Sequence, residues 1–301
     1  MRMMEYREFV GVFQRRVQEK MGNDIRIETV KVSKNNQADR EELTCKSRES
    51  NMNPGIMLEE FYGIFQKAGM EECVEKAVEI FGCRERVSNR KLFGIWESAG
   101  CRVMPELVNE KWNHEGLEKI PHTLFLDLAV IFRFRIRESE SMDVVITVTE
   151  SIMKYWGISQ EELCAAAFRN LRKEPYKIER LSDVLSELLG MEGMEMPEME
   201  EEEKKLPMFV LTNMKKVKGS SGMLRTGLLQ EFAEKKNSSF FILPSSVHEL
   251  LLIPDDGRIS AGELRVMVHD INREIVRKDE WLSDEVYYFR RSTGAVEVIK
   301  K

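Results

Sequence analysis

SFFILPSSVHELLLIPDDG, residues 239–257, decides how the rest of the chain reads. Two apolar runs, Phe240 to Leu243 and Val247 to Ile253, flank a Pro244-Ser245-Ser246 turn. Short apolar runs bounded by turn residues are the pattern of a sheet core, so a hairpin of strands 240–243 and 247–253 is expected. His248 and Glu249 are the polar pair at its corner. Downstream, Glu285 to Arg290 and Val296 to Ile299 read as two further strands around Thr293-Gly294. Between these and the hairpin, Ser260 and Glu263 form a capping box. It opens a helix whose buried stripe is Leu264, Met267, Val268 and Ile271.

Upstream of the hairpin, residues 207–212 read as a buried strand, and Met223 to Lys236 as an amphipathic helix carrying Leu224, Leu228, Leu229 and Phe232. LFLDLAVIFRFRI predicts one strand over 124–136. One face stays apolar from Leu126 to Ile136; the other changes from Phe125, Ala129 and Ile131 to Arg133, Arg135 and Arg137. A turn and a strand at 143–148 follow. Next come two helices, the second capped by Ser159 and Glu162, and a short helix from Ser182 stopped by Gly190. Residues 88–121 read as helix rather than strand. At the N-terminus, Tyr6, Phe9, Val10, Phe13, Val17 and Met21 recur at helical spacing. Ile25 and Ile27 then oppose Val30 and Val32 in parity, which predicts a bulge or a strand buried on both sides. A turn at Asn35-Asn36, a return strand and two more helices complete that part.

These elements give an α+β fold. A small N-terminal helix-strand-strand-helix-helix lobe over 1–104 precedes a larger mixed, mostly antiparallel sheet lobe with helices over 105–301. Residues 191–205, MEGMEMPEMEEEEKK, read as an acidic flexible loop, because adjacent glutamates repel and Pro197 breaks a helix.

Composition narrows the classes. The chain has 301 residues, 42% of them hydrophobic and 33% charged, enough for a sizeable core under a heavily solvated surface. The net charge of −6 points away from nucleic acid and from anionic bilayers. No apolar run reaches membrane-spanning length, and the N-terminal charges are scattered rather than flanking a secretory core. Five cysteines, an odd number without CxxC, suggest free thiols in the cytoplasm.

DLAVIFRF (127–134), WGISQEEL (156–163), PMFVLTN (207–213), FFILPSSVHELLLIP and LSDEVYYF resemble an uncharacterised bacterial family, mainly of Firmicutes, the domain-of-unknown-function family numbered 5688. The resemblance covers most of the chain and is most specific at PSSVHE and LSDEVYYF. It implies a cytosolic α+β protein and carries no assigned activity or catalytic residue.

Three constellations invite a chemical reading. Ser246 and His248 share a strand face and would suit a hydrolase if an acid, Asp127 or Asp284, came from another strand. The bland reading is that they satisfy turn amides. Gly219, Ser220, Ser221 and Gly222 precede a helix and follow Lys215, Lys216 and Lys218, which would suit phosphate or a nucleotide. However, neither phosphate-loop fingerprint is present, and a plain connection is favoured. Arg133, Arg135 and Arg137 read as a solvated or salt-bridged face. No close ligand pair marks a metal site, and a set such as Cys73, Cys83 and His114 has the wrong spacing. No cofactor is expected. With no nucleophile set, metal spacing or nucleotide motif, the leading expectation is a non-catalytic binding or regulatory protein acting on an unknown protein partner.

Overall fold

A computed structural model describes residues 4–33, 35–37, 39–47, 55–82, 93–137, 144–190 and 206–299. The acidic run 191–205, the 138–142 turn and Cys83 lie outside the described residues. The chain divides into two compact units, Met1–Gly94 and Ile95–Lys301. A division there keeps the strand Val103–Asn109 whole, whereas one at 104/105 would cut it.

The first unit runs α1 (Tyr6–Met21), β1 (Ile25–Ser33), β2 (Asp39–Ser47), β3 (Gly55–Met57), α2 (Leu58–Ala68) and α3 (Met70–Gly82). This is the expected order with a three-residue strand added. Phe9, Phe13 and Val17 on α1 meet Phe61, Cys73 and Phe81 from α2 and α3 over Ile27 and Leu43 of the sheet. β1 and β2 pair from Ile25↔Ser47 to Ser33↔Asp39 without a slip, so the expected bulge is absent. Ile27 is buried and Val30 only half-buried. The parity change reflects the strand preference of β-branched residues on a partly solvated face.

The second unit holds two antiparallel sheets. In the smaller, β6 (Leu128–Arg137) is central, with β4 (Val103–Asn109) along one side and β5 (His122–Phe125) and β7 (Val144–Thr147) along the other. The larger is ordered β13 (Ala295–Val298), β12 (Tyr287–Arg290), β10 (Phe240–Leu243), β11 (Leu250–Pro254), β9 (Phe209–Asn213), β8 (Tyr176–Arg180). Helices α4 (Glu150–Trp156), α5 (Gln160–Lys173), α6 (Leu181–Leu189), α7 (Thr226–Lys236) and α8 (Ala261–Glu274) accompany them. Both expected capping boxes are present, at Ser159 with Glu162 and at Ser260 with Glu263.

Both faces of the central strands are covered. Phe241, Leu243, Leu251 and Ile253 pack with Leu264 and Val268 of α8. The alternate residues face α7, where the rings of Phe232 and Phe240 lie 5.0 Å apart and Phe240 stacks on Phe289 at 5.1 Å. Two-sided cover is why these antiparallel strands read as unbroken apolar runs instead of alternating.

Three further expectations need correction, and one strand went unforeseen. The 124–136 strand is a hairpin: Phe125 pairs with Leu128, and Leu126 takes a left-handed φ of 59° in a two-residue loop. Asp127 pins that loop by accepting from Ser283 Oγ at 2.7 Å and Tyr287 OH at 2.8 Å, partners 156 and more residues away. Residues 103–109 are a buried strand rather than helix. β4 is an edge strand, where Pro105, lacking an N–H, costs the ladder little. The strand expected at 247–253 begins at Leu250, so Ser246, His248 and Glu249 lie in a loop. β8 went unforeseen, because YKIER has only one strongly apolar residue and serves an edge.

Candidate functional site

The His248 corner and the Gly219–Gly222 segment, 26 or more residues apart in sequence, meet in space. The N–H of Gly219 donates to His248 O at 3.0 Å and that of Ser220 to Val247 O at 3.3 Å. Ser220 Oγ donates to Val247 O at 2.8 Å, and Ser221 Oγ to Pro105 O at 3.0 Å. Thr212 Oγ1 also donates to His248 O, at 2.9 Å. A Cβ on Gly219 would lie 2.6 Å from that same carbonyl, and one on Gly222 would lie 2.8 Å from the Tyr176 ring. The glycines are there for close approach, and the serines close buried backbone hydrogen bonds.

Ser246 Oγ accepts from the His248 N–H at 3.0 Å, and Ser245 Oγ donates to Glu249 O at 3.2 Å. The His248 ring is engaged on both sides. Nδ1 accepts the Lys218 N–H at 3.3 Å, which places the ring proton on Nε2, 3.6 Å from Glu280. Burial and the Lys218 charge keep the imidazole pKa below its ordinary value, against the pull of Glu280 and Glu106. Asp127 is tied to Ser283 and Tyr287, and Asp284 to Asn272 and Arg273. Ser246 Oγ thus meets the backbone of His248, and both acids expected to join them, Asp127 and Asp284, meet other partners.

Among the described residues no cluster of His, Cys, Asp or Glu could hold a metal ion. Cys73 is buried in the first unit and donates to Phe61 O, while His114 is exposed on the second between Glu110 and Glu118.

Beside this junction lies a cleft of about 200 Å³ between the smaller sheet and the β8–β9 edge of the larger one. β4 contributes Met104, Pro105 and Glu106, β6 contributes Arg133 and Arg135, and Glu174, Tyr176, Asn213, Lys215 and Lys218 close the other wall. Glu106 is 5% exposed. It accepts from Arg133 Nε at 2.8 Å and faces Lys218 Nζ at 3.1 Å. Burial alone would raise its carboxyl pKa; the two cations overcome that and hold it at about 2. Glu174 is pushed up by burial, which Arg135, Lys215 and the Asn213 hydrogen bond offset only in part.

Lys218 reaches Glu106 from a strained turn. Lys216 and Lys218 both adopt left-handed φ, 53° and 56°. Asn213 enforces the turn by donating to Val217 O at 2.8 Å and accepting from Val217 N at 3.1 Å. Such backbone costs about 1 kcal/mol per residue and persists where the surroundings over-determine it. Tyr176 stands beside it under the Arg225 guanidinium, 5.5 Å from the ring centroid. Its hydroxyl is buried without a hydrogen-bond partner.

The arginines and lysines were visible in the sequence as charge runs, and Arg133 is salt-bridged as one reading expected. The pairing of β6 with β7 slips between Arg135 and Arg137, so the stripe does not continue in register. Glu106, Glu174 and Tyr176 were missed. The one available signal was a glutamate inside the apolar run VMPELV, obscured by reading that run as helix.

Residues 6–291 match the model described as a family of unknown function, DUF5688. The match spans most of the chain, so the chain belongs to that family. No curated protein and no solved structure matches it. No described helix is long and apolar enough to cross a membrane.

Proposed function

We propose that this member of a family of unknown function is a non-catalytic cytoplasmic binding protein that acts through contact with another protein, made at the charged cleft. One observation carries the reading. Among the described residues the cleft gathers Arg133, Arg135, Lys215 and Lys218 with Glu106 and Glu174, an accessible charged surface beside the two sheets. Buried polar groups in native proteins are almost always satisfied, and the Tyr176 hydroxyl in the wall of this cleft is an exception. The hydrolase reading loses support from the Ser246 hydrogen bond to the His248 amide, and the phosphate-loop reading from the spent amides of Gly219 and Ser220.

The test compares tagged wild type, the double variant Arg135→Glu with Lys215→Glu, and Ser246→Ala, each purified from its own host cells and checked for an unchanged melting curve. The same partner should accompany wild type and Ser246→Ala and be lost from the charge-reversed variant. Retention by the reversed variant, or a hydrolase activity abolished by Ser246→Ala, overturns the reading.

A further inference from the structure

We propose that the His248 ring is a pH-sensitive latch on the turn at residues 214–218. Protonation at Nδ1 converts the acceptor of the Lys218 N–H into a second donor, and the turn is released from the His248 loop.

Hydrogen-bond geometry is the first argument. The Lys218 N–H donates to His248 Nδ1 at 3.3 Å. That bond needs the Nδ1 lone pair, so the neutral ring makes it and the imidazolium does not. The backbone beneath the ring is held independently. His248 O accepts from the Gly219 N–H at 3.0 Å and from Thr212 Oγ1 at 2.9 Å, and the Val247 N–H donates to Glu280 O at 2.8 Å. Charging the ring therefore acts on the turn that faces it. The state of that turn is the second argument. Lys216 and Lys218 both hold left-handed φ, a conformation that persists where the surroundings enforce it. Asn213 binds both backbone groups of Val217, and its carbonyl accepts from the Lys216 N–H at 3.0 Å. Lys218, at the end of the turn, is gripped from outside by the imidazole.

Charge is the third argument. Lys218, on the turn, and Arg277 oppose a positive ring, whereas Glu280, 3.6 Å from Nε2, and Glu106 of β4 favour one. Both carboxylates are shared: Glu280 also pairs with Arg277, and Glu106 with Arg133 and Lys218. Burial and the Lys218 charge prevail and hold the imidazole pKa below its ordinary value of 6.5. Because the folded value lies below the unfolded one, the latch is closed above about pH 6.5 and opens as pH falls through the folded value. The turn also supplies Lys215, Val217 and Lys218 to the cleft wall, so its release reshapes that wall. The latch itself does not depend on what binds there.

Nitrogen NMR of the full chain with labelled histidine, together with hydrogen exchange at single amides, tests this. At neutral pH the His248 ring should carry its proton on Nε2 and leave Nδ1 bare. After correction for the intrinsic pH dependence of exchange, protection of the Lys218 amide should fall about 10-fold between about pH 7.5 and about pH 5. The Gly219 amide, bonded to the His248 carbonyl, should keep its protection. His248→Asn offers an amide oxygen that does not titrate, and should leave the Lys218 amide protected at both pH values. His248→Ala should leave it exposed at both. Three results would each overturn the latch: pH dependence persisting in either variant, Lys218 protection unchanged while the wild-type ring protonates, or a neutral ring with its proton on Nδ1. The second and third are read on the wild-type chain and stand even where a variant folds poorly.

Discussion

Glu106 shows how one side chain can be buried, charged and stabilising at once. Arg133 and Lys218 compensate it from two directions, and its pKa in the folded chain is about 2 against an ordinary value of 4.5. Because the folded value lies below the unfolded one, the stabilisation is complete above about pH 4.5 and is lost as pH falls toward 2, amounting to about 3 kcal/mol at neutral pH. Glu106→Gln strands two cations and should destabilise the chain by about 3 kcal/mol at pH 7. Urea unfolding at pH 7 and at pH 3 checks this; the gap between variant and wild type should narrow at the lower pH, and an unchanged gap would remove the ionic explanation. The sequence offered Arg133 and Lys218 as members of charge runs, but the residue joining them sits in VMPELV, more than 25 positions from either. Such a triad is a property of packing, and no local pattern announces it.

At the scale of elements, legibility followed local autonomy. The capped helices at Ser159 and Ser260 were readable because the cap, the first turn and the apolar stripe all lie within one stretch of chain. The hairpin at Leu126-Asp127 was not, because the residue that fixes it bonds to Ser283 and Tyr287. Gly219–Leu224 was taken for a plain connection and is instead a buried 3-10 segment between β4 and the His248 loop. Gly219→Ala should therefore cost about 3 kcal/mol, since its Cβ would meet backbone at 2.6 and 2.8 Å, which cannot move aside cheaply. Gly11→Ala, on the exposed face of α1 with nothing within 4 Å, should instead stabilise by about 1 kcal/mol. Thermal unfolding of the two variants should move in opposite directions. A similar loss at both would mean that helix propensity and crowding are not what separates them.

For the molecule as a whole, each compact unit has its own core: Phe9 to Phe81 in the first, and clusters around Ile131 and around Leu251 in the second. A fragment of residues 95–301 is expected to unfold cooperatively by itself. One starting at 105 should be markedly less stable, because it removes Val103 and Met104 from their pairing with Phe134 and Arg133. Equal stability of the two fragments would favour the later boundary. The sequence alone determined the α+β class, the helix and strand order of the first unit and the main strands of the larger sheet, since periodicity and capping act over a few residues. Only the tertiary structure decided which polar residues meet: it joined Gly219 and Ser220 to the backbone of the His248 loop and Ser221 to Pro105, and it assembled the cleft from five separated segments. Hydrogen bonds and ion pairs depend on distances of about 3 Å, and those are set when the sheets pack, not by spacing along the chain.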